Sequence, residues 1–339
     1  RADDALPPPM APGVTIPDGQ IERAIDALDG VAADIFRRSG LPGMSVVVVR
    51  DGKTVFAKGY GVRKAGEDAT VDADTVFQVA SLSKSISATV VAHAVGKGLV
   101  SWDTPLVQHL PWFDLSDPYV TSHVTVGDMF AHRSGLPPHA GDNLEDIGFD
   151  RDEVLKRLKY LPLASFRNTY AYTNFGLTAG AEAVAAAAGT DWETLAEETI
   201  FQPLGMTSTS FRFDDFVTRE NRAPGHAKLG GTWQAKVARQ PDPQAPAGGV
   251  SASANDLGKW LAMLMEEGGD IVPKAALLPA TQAQMPSDTM PSPAARPGLY
   301  GYGIGTGVDA SGRVVLSHSG AFALGSGTNY MLLPLDDIA

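Results

Sequence analysis

A serine and a lysine three residues apart, Ser81 and Lys84, open the otherwise apolar stretch VFQVASLSKSISATVVAHAV, residues 76–95. On a helix, positions i and i+3 share a face. A serine in the first turn lies over the helix N-terminus, where negative charge is favoured. A lysine one turn further on, partly desolvated, has a depressed pKa and can take the serine's proton. That is the chemistry of an activated nucleophile. S-x-x-K arises by chance about once in a chain of this length, so the spacing alone is a weak signal. Its context adds weight: it follows a β run and opens a helix over Ser83 to Lys97 that stops at Gly98.

Two further clusters could serve such a pair. Tyr172-Thr173-Asn174 lies within YAYTNFG. A tyrosine near a lysine can shuttle protons, and an asparagine can bind a substrate amide or hold the lysine. By itself the cluster is better read as a turn before a helix starting near Phe175, with Asn174 as its cap. His318-Ser319-Gly320, followed by Ala321, ends a strand. A glycine there lets substrate approach the backbone, and a strand edge offers N–H groups. The plain alternative is a strand running into a Gly-rich bend.

The elements that must position these residues fall into a pattern. Ile21, Ile25, Leu28 and Ile35 repeat at helical spacing up to a stop at Gly40. MSVVVVRDGKTVFAKGYG reads as a hairpin turning at Asp51-Gly52, and TVFQVA as a short strand. Strands recur at Tyr300 to Val308, Val314 to Ser319 and Thr328 to Leu333. Between lie short helical stretches broken by Pro, Trp and Asp, the Ala-rich helix Leu177 to Ala188, and the amphipathic helix Ala254 to Glu267, capped by Ser253 or Asn255. The expected fold is α+β. An antiparallel sheet built from both chain ends is flanked by helices, and a mainly helical domain is inserted. The expected boundaries are a flexible Pro-rich lead-in over 1–20, a sheet domain over 21–98 and 237–339, and the insertion over 99–236. A cleft between the two lobes is where a ligand binds.

Together the three clusters resemble those of the penicillin-recognising serine hydrolases, the serine β-lactamase-like superfamily. It holds class C β-lactamases, D-alanyl-D-alanine carboxypeptidases, D-aminopeptidases and family VIII carboxylesterases. The order matches: S-x-x-K early, Y-x-N in the middle, a [KHW]-[ST]-G box late. DMFAHRSGLPPH, FQPLGMTST, PAGGVSASANDLGKW and YGYGIG also look like segments of that family. The resemblance runs from about Ile21 to Leu333. It implies that Ser81 is the acylated nucleophile, Lys84 its activator and Tyr172 a proton relay. It implies that Asn174 binds the acyl amide, that the N–H groups of Ser81 and Ala321 form an oxyanion hole, and that His318, Ser319 and Gly320 line the cleft. No cofactor and no metal are implied.

The chain departs from that pattern in two places. The third box opens with His318 where class C β-lactamases have lysine. A histidine is mostly neutral at pH 7, so the fixed charge for a substrate carboxylate is lost. This looks more like the peptidase and aminopeptidase branch; esterases of the family often have tryptophan there. No clear equivalent of the class A deacylating glutamate is seen, which leaves water activation to Tyr172 and Lys84. Relatives also follow the strand at Thr328 to Leu333 with another strand and a helix, whereas this sequence stops at DDIA. The native protein is expected to continue, and the sheet described here to show an open edge.

The 339 residues carry a net charge of −12, with 44% hydrophobic and 19% charged residues. That composition suits a globular protein with a substantial core. It shows no basic stripe for nucleic acid and no apolar run of membrane-spanning length. Cysteine is absent, which excludes disulfide and thiolate sites. His132 and His139 flank a Ser-Gly-Leu-Pro-Pro turn, and His132 is read as ordering it rather than binding metal. There is no G-x-S-x-G elbow. The expected partner is a peptide or small-molecule substrate, met in the periplasm or outside the cell; the oligomeric state is left open. The leading function is a serine peptidase or amidase of D-amino-acid peptides or related amides. A carboxylesterase, a class C-like β-lactamase, and a non-catalytic penicillin-binding sensor or scaffold are the alternatives.

Overall fold

Asp51 and Gly52 both take positive φ, 49° and 71°. That is the backbone of a two-residue hairpin turn whose twist matches its strands, so β1 (Gly43–Arg50) and β2 (Lys53–Gly61) pair antiparallel. Helix α1 (Gln20–Ser39) ends on left-handed Gly40 and lies against this hairpin, with Phe36 packed on Tyr60 and Asp29 paired to Lys58. The described residues of the computed structural model are 10–236, 238–288, 290 and 292–339. Residues 1–9, part of the expected lead-in, fall outside them. Further along the lead-in, Gly13 N donates to Ser311 O (2.8 Å) and Arg313 Nη2 to Val14 O (2.6 Å), so this stretch is tied to the C-terminal part of the chain rather than loose.

Helix α2 (Ser83–Gly96) is the centre of the molecule. Residues 83–92 are all buried, as expected of a helix that is small or apolar on every side. Its hydroxyls find partners off the helix. Ser85 donates to Gly303 O (2.7 Å) and Ser87 to Pro246 O (2.6 Å), while Ser83 accepts from Val250 N (3.0 Å). The loops that border the site are thereby fastened to α2. Helix α3 (Asn174–Ala188), rich in alanine, packs beside it, and α4 (Ala254–Met265) covers the hairpin. Gly258 of α4 makes that approach possible, since a Cβ there would meet Thr54 Oγ1 at 2.7 Å and Val47 at 3.0 Å. Ser253, not Asn255, caps α4, accepting from Asp256 N.

Five strands near the C-terminus form one antiparallel sheet in the order β7-β6-β5-β4-β3. They are β3 (Met285–Pro286), β4 (Leu299–Tyr300), β5 (Gly305–Val308), β6 (Val314–Phe322) and β7 (Ser326–Leu332). The single strand expected over 300–308 is broken in two. Gly303 takes φ 69°, and Gly301 N turns back to Ile304 O. TVFQVA contributes only Phe77–Gln78 to a ladder, paired with Ser251–Ala252. A small hairpin, Ala227–Leu229 with Thr232–Gln234, sits within the stretch read as helical. The fold is α+β.

Ile338 and Ala339 reach between the two sheets. Ala339 exchanges backbone hydrogen bonds with Val49 (2.8 and 2.9 Å), and Ile338 bridges both Arg50 and Leu333. Further along, β1 and β7 face one another across a cavity of about 340 Å³ lined by Met44, Val46, Thr328 and Tyr330 among others.

Gly320 brings β6 down onto the turn that carries Ser81. A Cβ at this position would lie 2.3 Å from Val79 O, 2.7 Å from Ser81 N and 2.9 Å from Leu82 N, all backbone atoms that cannot swing away. Gly320→Ala should therefore destabilise the fold by about 2 kcal/mol or more, the scale of core overpacking. It should also displace Ser81 from β6. Urea denaturation of the purified variant measures the first effect; unchanged stability would show that β6 does not press on the turn.

Candidate active site

The turn before α2 is strained. Ala80 is fully buried and holds φ 48° without being glycine, a conformation of the kind that clusters where geometry matters more than local energy. A short 3-10 turn, Ala80–Leu82, follows and presents Ser81 at the mouth of α2. Ser83 Oγ donates back to Ala80 O (2.6 Å) and fixes the turn from below. From the sheet side, Thr328 Oγ1 donates to Val79 O (2.7 Å) and Ser326 to Gln78 O.

Lys84 is the most constrained group in the site. Its side chain is fully buried, and Nζ reaches Ser81 Oγ at 3.1 Å, Asn174 Oδ1 at 2.8 Å and Ala247 O at 2.9 Å. Burial pushes its pKa down to about 7, against a smaller upward pull from Asp142. Near neutrality the amine thus exists in both forms. The arrangement fits either one. As an ammonium it has three acceptors. As an amine it gives its two protons to Asn174 Oδ1 and Ala247 O, neither of which can donate, and turns its lone pair to Ser81.

Asn174 is in this orientation because of Asp142. Its Nδ2 donates to the Asp142 carboxylate at 3.1 and 3.3 Å, an acceptor-only partner that leaves Oδ1 to face Lys84. Asp142 in turn meets His139 Nδ1 at 3.0 Å. Asn174 does not cap α3, although the helix begins at it. The N-cap is Thr173, which makes no side-chain cap bond.

Tyr172 stands over the lysine, with Nζ 4.5 Å from its ring centroid. Burial pushes its phenol up to about 12, opposed by a hydrogen bond with Ser81. It is therefore a neutral phenol around pH 7, a proton donor rather than a standing base. Behind it is an aromatic wall: His132 lies 4.5 Å from Tyr172 and 5.2 Å from Tyr300, centroid to centroid, and Tyr170 stacks edge-on to both His132 and Tyr300. His132 accepts from Thr173 N through Nδ1, fixing the Tyr172–Asn174 segment to the turn at 132–139.

Strand β6 supplies the other side. Its pairing with β5 stops at Ser317, so His318, Ser319, Gly320 and Ala321 are paired with β7 alone and keep a free backbone edge. The His318 imidazole has both nitrogens engaged, Nδ1 with Ser319 O (2.6 Å) and Nε2 with Tyr300 Oη (2.7 Å). Burial and the nearby Lys84 charge hold its pKa down, to about 4.

The structure thus brings together Ser81, Lys84, Tyr172, Asn174, His318 and Gly320. Sequence reasoning missed Asp142, Tyr300, Ala80 and the Ala247 carbonyl. The first two are polar residues outside any of the three boxes, although Tyr300 opens the YGYGIG segment. A backbone carbonyl and a strained alanine leave no residue-type signal.

Comparison with known proteins decides the family. The beta-lactamase family pattern matches residues 21–339. The chain belongs to the beta-lactamase family. It is 27% identical over 326 residues to the unguisins hydrolase ungD' of Aspergillus campestris, covering 91% of this chain and 60% of that one. Over 195 residues it is 30% identical to the D-alanyl-D-alanine-carboxypeptidase/endopeptidase AmpH of Escherichia coli K12, covering 56% of this chain and 50% of the relative. The chain therefore spans half to three-fifths of the length of these curated relatives. The octameric penicillin-binding protein homologue from Pyrococcus abyssi shares the fold, with a TM-score of 0.78 at 22% identity over 93% of this chain and 72% of that one. A beta-lactamase-like serine hydrolase family, with peptidase and other hydrolase members, is thus the frame for this site. No helix among the described residues is long and apolar enough to cross a membrane.

Burying Lys84 has a cost that depends on pH. Its folded pKa is depressed, so the penalty is full where both states are protonated, below about pH 7. It then shrinks as pH rises toward the unfolded value of about 10.4. The penalty is about 5 kcal/mol at pH 6 and about 2 kcal/mol at pH 9. Lys84→Met should therefore gain about 3 kcal/mol more, relative to wild type, at pH 6 than at pH 9. Denaturant titrations at the two pH values measure this; an equal difference at both would mean that the lysine is not desolvated.

Proposed function

We propose that this chain is a serine acyl-hydrolase that forms an acyl-enzyme on Ser81 and cleaves amides, D-amino-acid peptides foremost. The observation that carries the reading is Lys84. A buried amine with a pKa near 7 has two of its bonds committed to fixed acceptors and its third direction aimed at Ser81 Oγ.

In this reading Ser81 Oγ attacks the substrate carbonyl carbon while its proton passes to Lys84. The N–H groups of Ser81 and Ala321 receive the oxyanion. Collapse breaks the bond to the leaving group, which takes a proton from the Tyr172 phenol, and Tyr172 recovers one from the Lys84 ammonium. A water then attacks the acyl carbon. Its proton goes to the amine–phenol pair, and Ser81 is released as the hydroxyl. The division of labour follows from the two pKa values, one near neutrality for the base and one near 12 for the relay. Asn174 holds the lysine through Oδ1, with Nδ2 engaged by Asp142. The free edge at His318, Ser319, Gly320 and Ala321 can take substrate backbone. The likeness to a D-alanyl-D-alanine-carboxypeptidase/endopeptidase supports the peptide substrate. Ester cleavage is the second reading, favoured by a third box that presents a neutral imidazole where a lysine would bind a carboxylate.

Two experiments test this. Incubation with p-nitrophenyl butyrate should give an acylated peptide containing Ser81, seen by mass spectrometry. Ser81→Ala should lose at least about a thousandfold in kcat/KM; turnover that survives in this variant sinks the mechanism. The pH profile of kcat/KM should rise through a midpoint near 7, because the base must be neutral. Asp142→Asn should move that midpoint to lower pH, since the carboxylate raises the Lys84 pKa. A midpoint that stays put would show that Lys84 is not the group titrating.

A further inference from the structure

In the proposed reaction the leaving group takes its proton from Tyr172, whose ring is backed by His132 and, through it, by Tyr300 and His318. Of the two imidazoles in this wall His132 is fully buried, which leaves His318 as the one that could face a substrate anion. Both of its nitrogens are already taken, so neither is free to do so. A carbonyl oxygen only accepts, so the 2.6 Å contact with Ser319 O places the imidazole proton on Nδ1. Nε2 is then the lone-pair nitrogen, and it is occupied by the Tyr300 hydroxyl at 2.7 Å. Tyr300 is buried and has no freedom to leave without stranding its own hydroxyl.

We propose that Tyr300 is a specificity-determining positioning residue: by donating to His318 Nε2 it withdraws the imidazole from anion binding, so the site takes acyl substrates whose leaving group is uncharged. This rests on the acyl-enzyme reading and narrows it. The bond cut is an internal amide or an ester with a neutral alcohol rather than the bond to a terminal amino acid bearing a free carboxylate. The groups facing His318 agree. Lys84 opposes a second positive charge, His132 is itself held neutral by burial, and Tyr330, its partner across β7, is a buried phenol held well above its ordinary pKa.

The test uses two matched esters, phenyl butyrate and 3-carboxyphenyl butyrate, which share the acyl group and differ by a carboxylate on the leaving group. Their ratio of kcat/KM on one enzyme cancels the common ionisation of Lys84. Wild type should prefer the uncharged ester by about tenfold or more, at pH 5.5 as at pH 8. In Tyr300→Phe the Nε2 nitrogen is released and can be protonated. The preference should then fall at pH 5.5, through a lower KM for the carboxylate ester, and should return toward wild type at pH 8. His318→Lys is the second variant and needs no change at Tyr300; it should reduce the preference at both pH values. Equal use of the two esters by wild type overturns the proposal. So does a ratio that neither variant changes. Ser81→Ala separates this from failure of the acyl-enzyme reading. Ser81-dependent turnover without discrimination counts against Tyr300 alone, and Ser81-independent turnover removes the basis for both.

Discussion

The burial of one amine organises this structure. Lys84 sits on a helix with no exposed face, at a position where an ammonium without partners would be untenable. Everything around it answers that demand. Asn174 Oδ1 and Ala247 O are supplied by two separate segments, and each is held by further contacts. Asn174 is oriented by Asp142, and the short helical turn carrying Ala247, Ala245–Gly248, is fastened to α2 through Ser87 and Pro246 O. The third partner is Ser81. Ser81 Oγ is thus part of the lysine's solvation shell, and the placement of the serine hydroxyl and the lysine's stability are one arrangement.

The backbone around Ser81 follows the same logic from the other direction. Ala80 is forced into the left-handed region, and the surroundings over-determine it. Ser83 bonds it from within the helix, Val79 O is taken by Thr328, and Gly320 lies against the turn at a distance no side chain permits. Residues from positions near 80 and near 320 are needed together. That is why a sheet formed near the C-terminus must be brought against a turn near residue 80 to hold two side chains that are only three positions apart.

Much of this was legible beforehand because the chemistry needs side chains of particular types. Ser81 and Lys84, Tyr172 and Asn174, and His318 to Ala321 stand out by type and order, and the Asp51-Gly52 hairpin by its turn chemistry. The α+β fold followed from strands at the ends and helices between. The remainder was not legible, for reasons that are physical. Asn174 at the head of a helix has a local use as a cap, and only the distant Asp142 and Lys84 decide otherwise. Tyr300 sits in a strand whose break at Gly303 is set by its packing on Lys84 O, where a Cβ would come within 2.5 Å. Ala80 gives no signal at all, because alanine is not the residue that a left-handed turn selects.

The electrostatics explain how one pocket keeps an acid, a base and a neutral wall apart. Desolvation acts on every group here, but its sign depends on which form is charged. It lowers Lys84 toward neutrality and lowers His318 and His132 further still, while it raises Tyr172 and Tyr300. Among the described residues, the carboxylate joined to this set by hydrogen bonds is Asp142, through Asn174. Its pull on Lys84 opposes burial and keeps the amine's pKa from falling further. The same negative charge lies beyond the asparagine rather than beside the serine, so it raises the lysine without standing against Ser81. The position of Asp142, one side chain removed, is what lets a low-dielectric pocket hold an amine that exists in both of its forms near neutral pH.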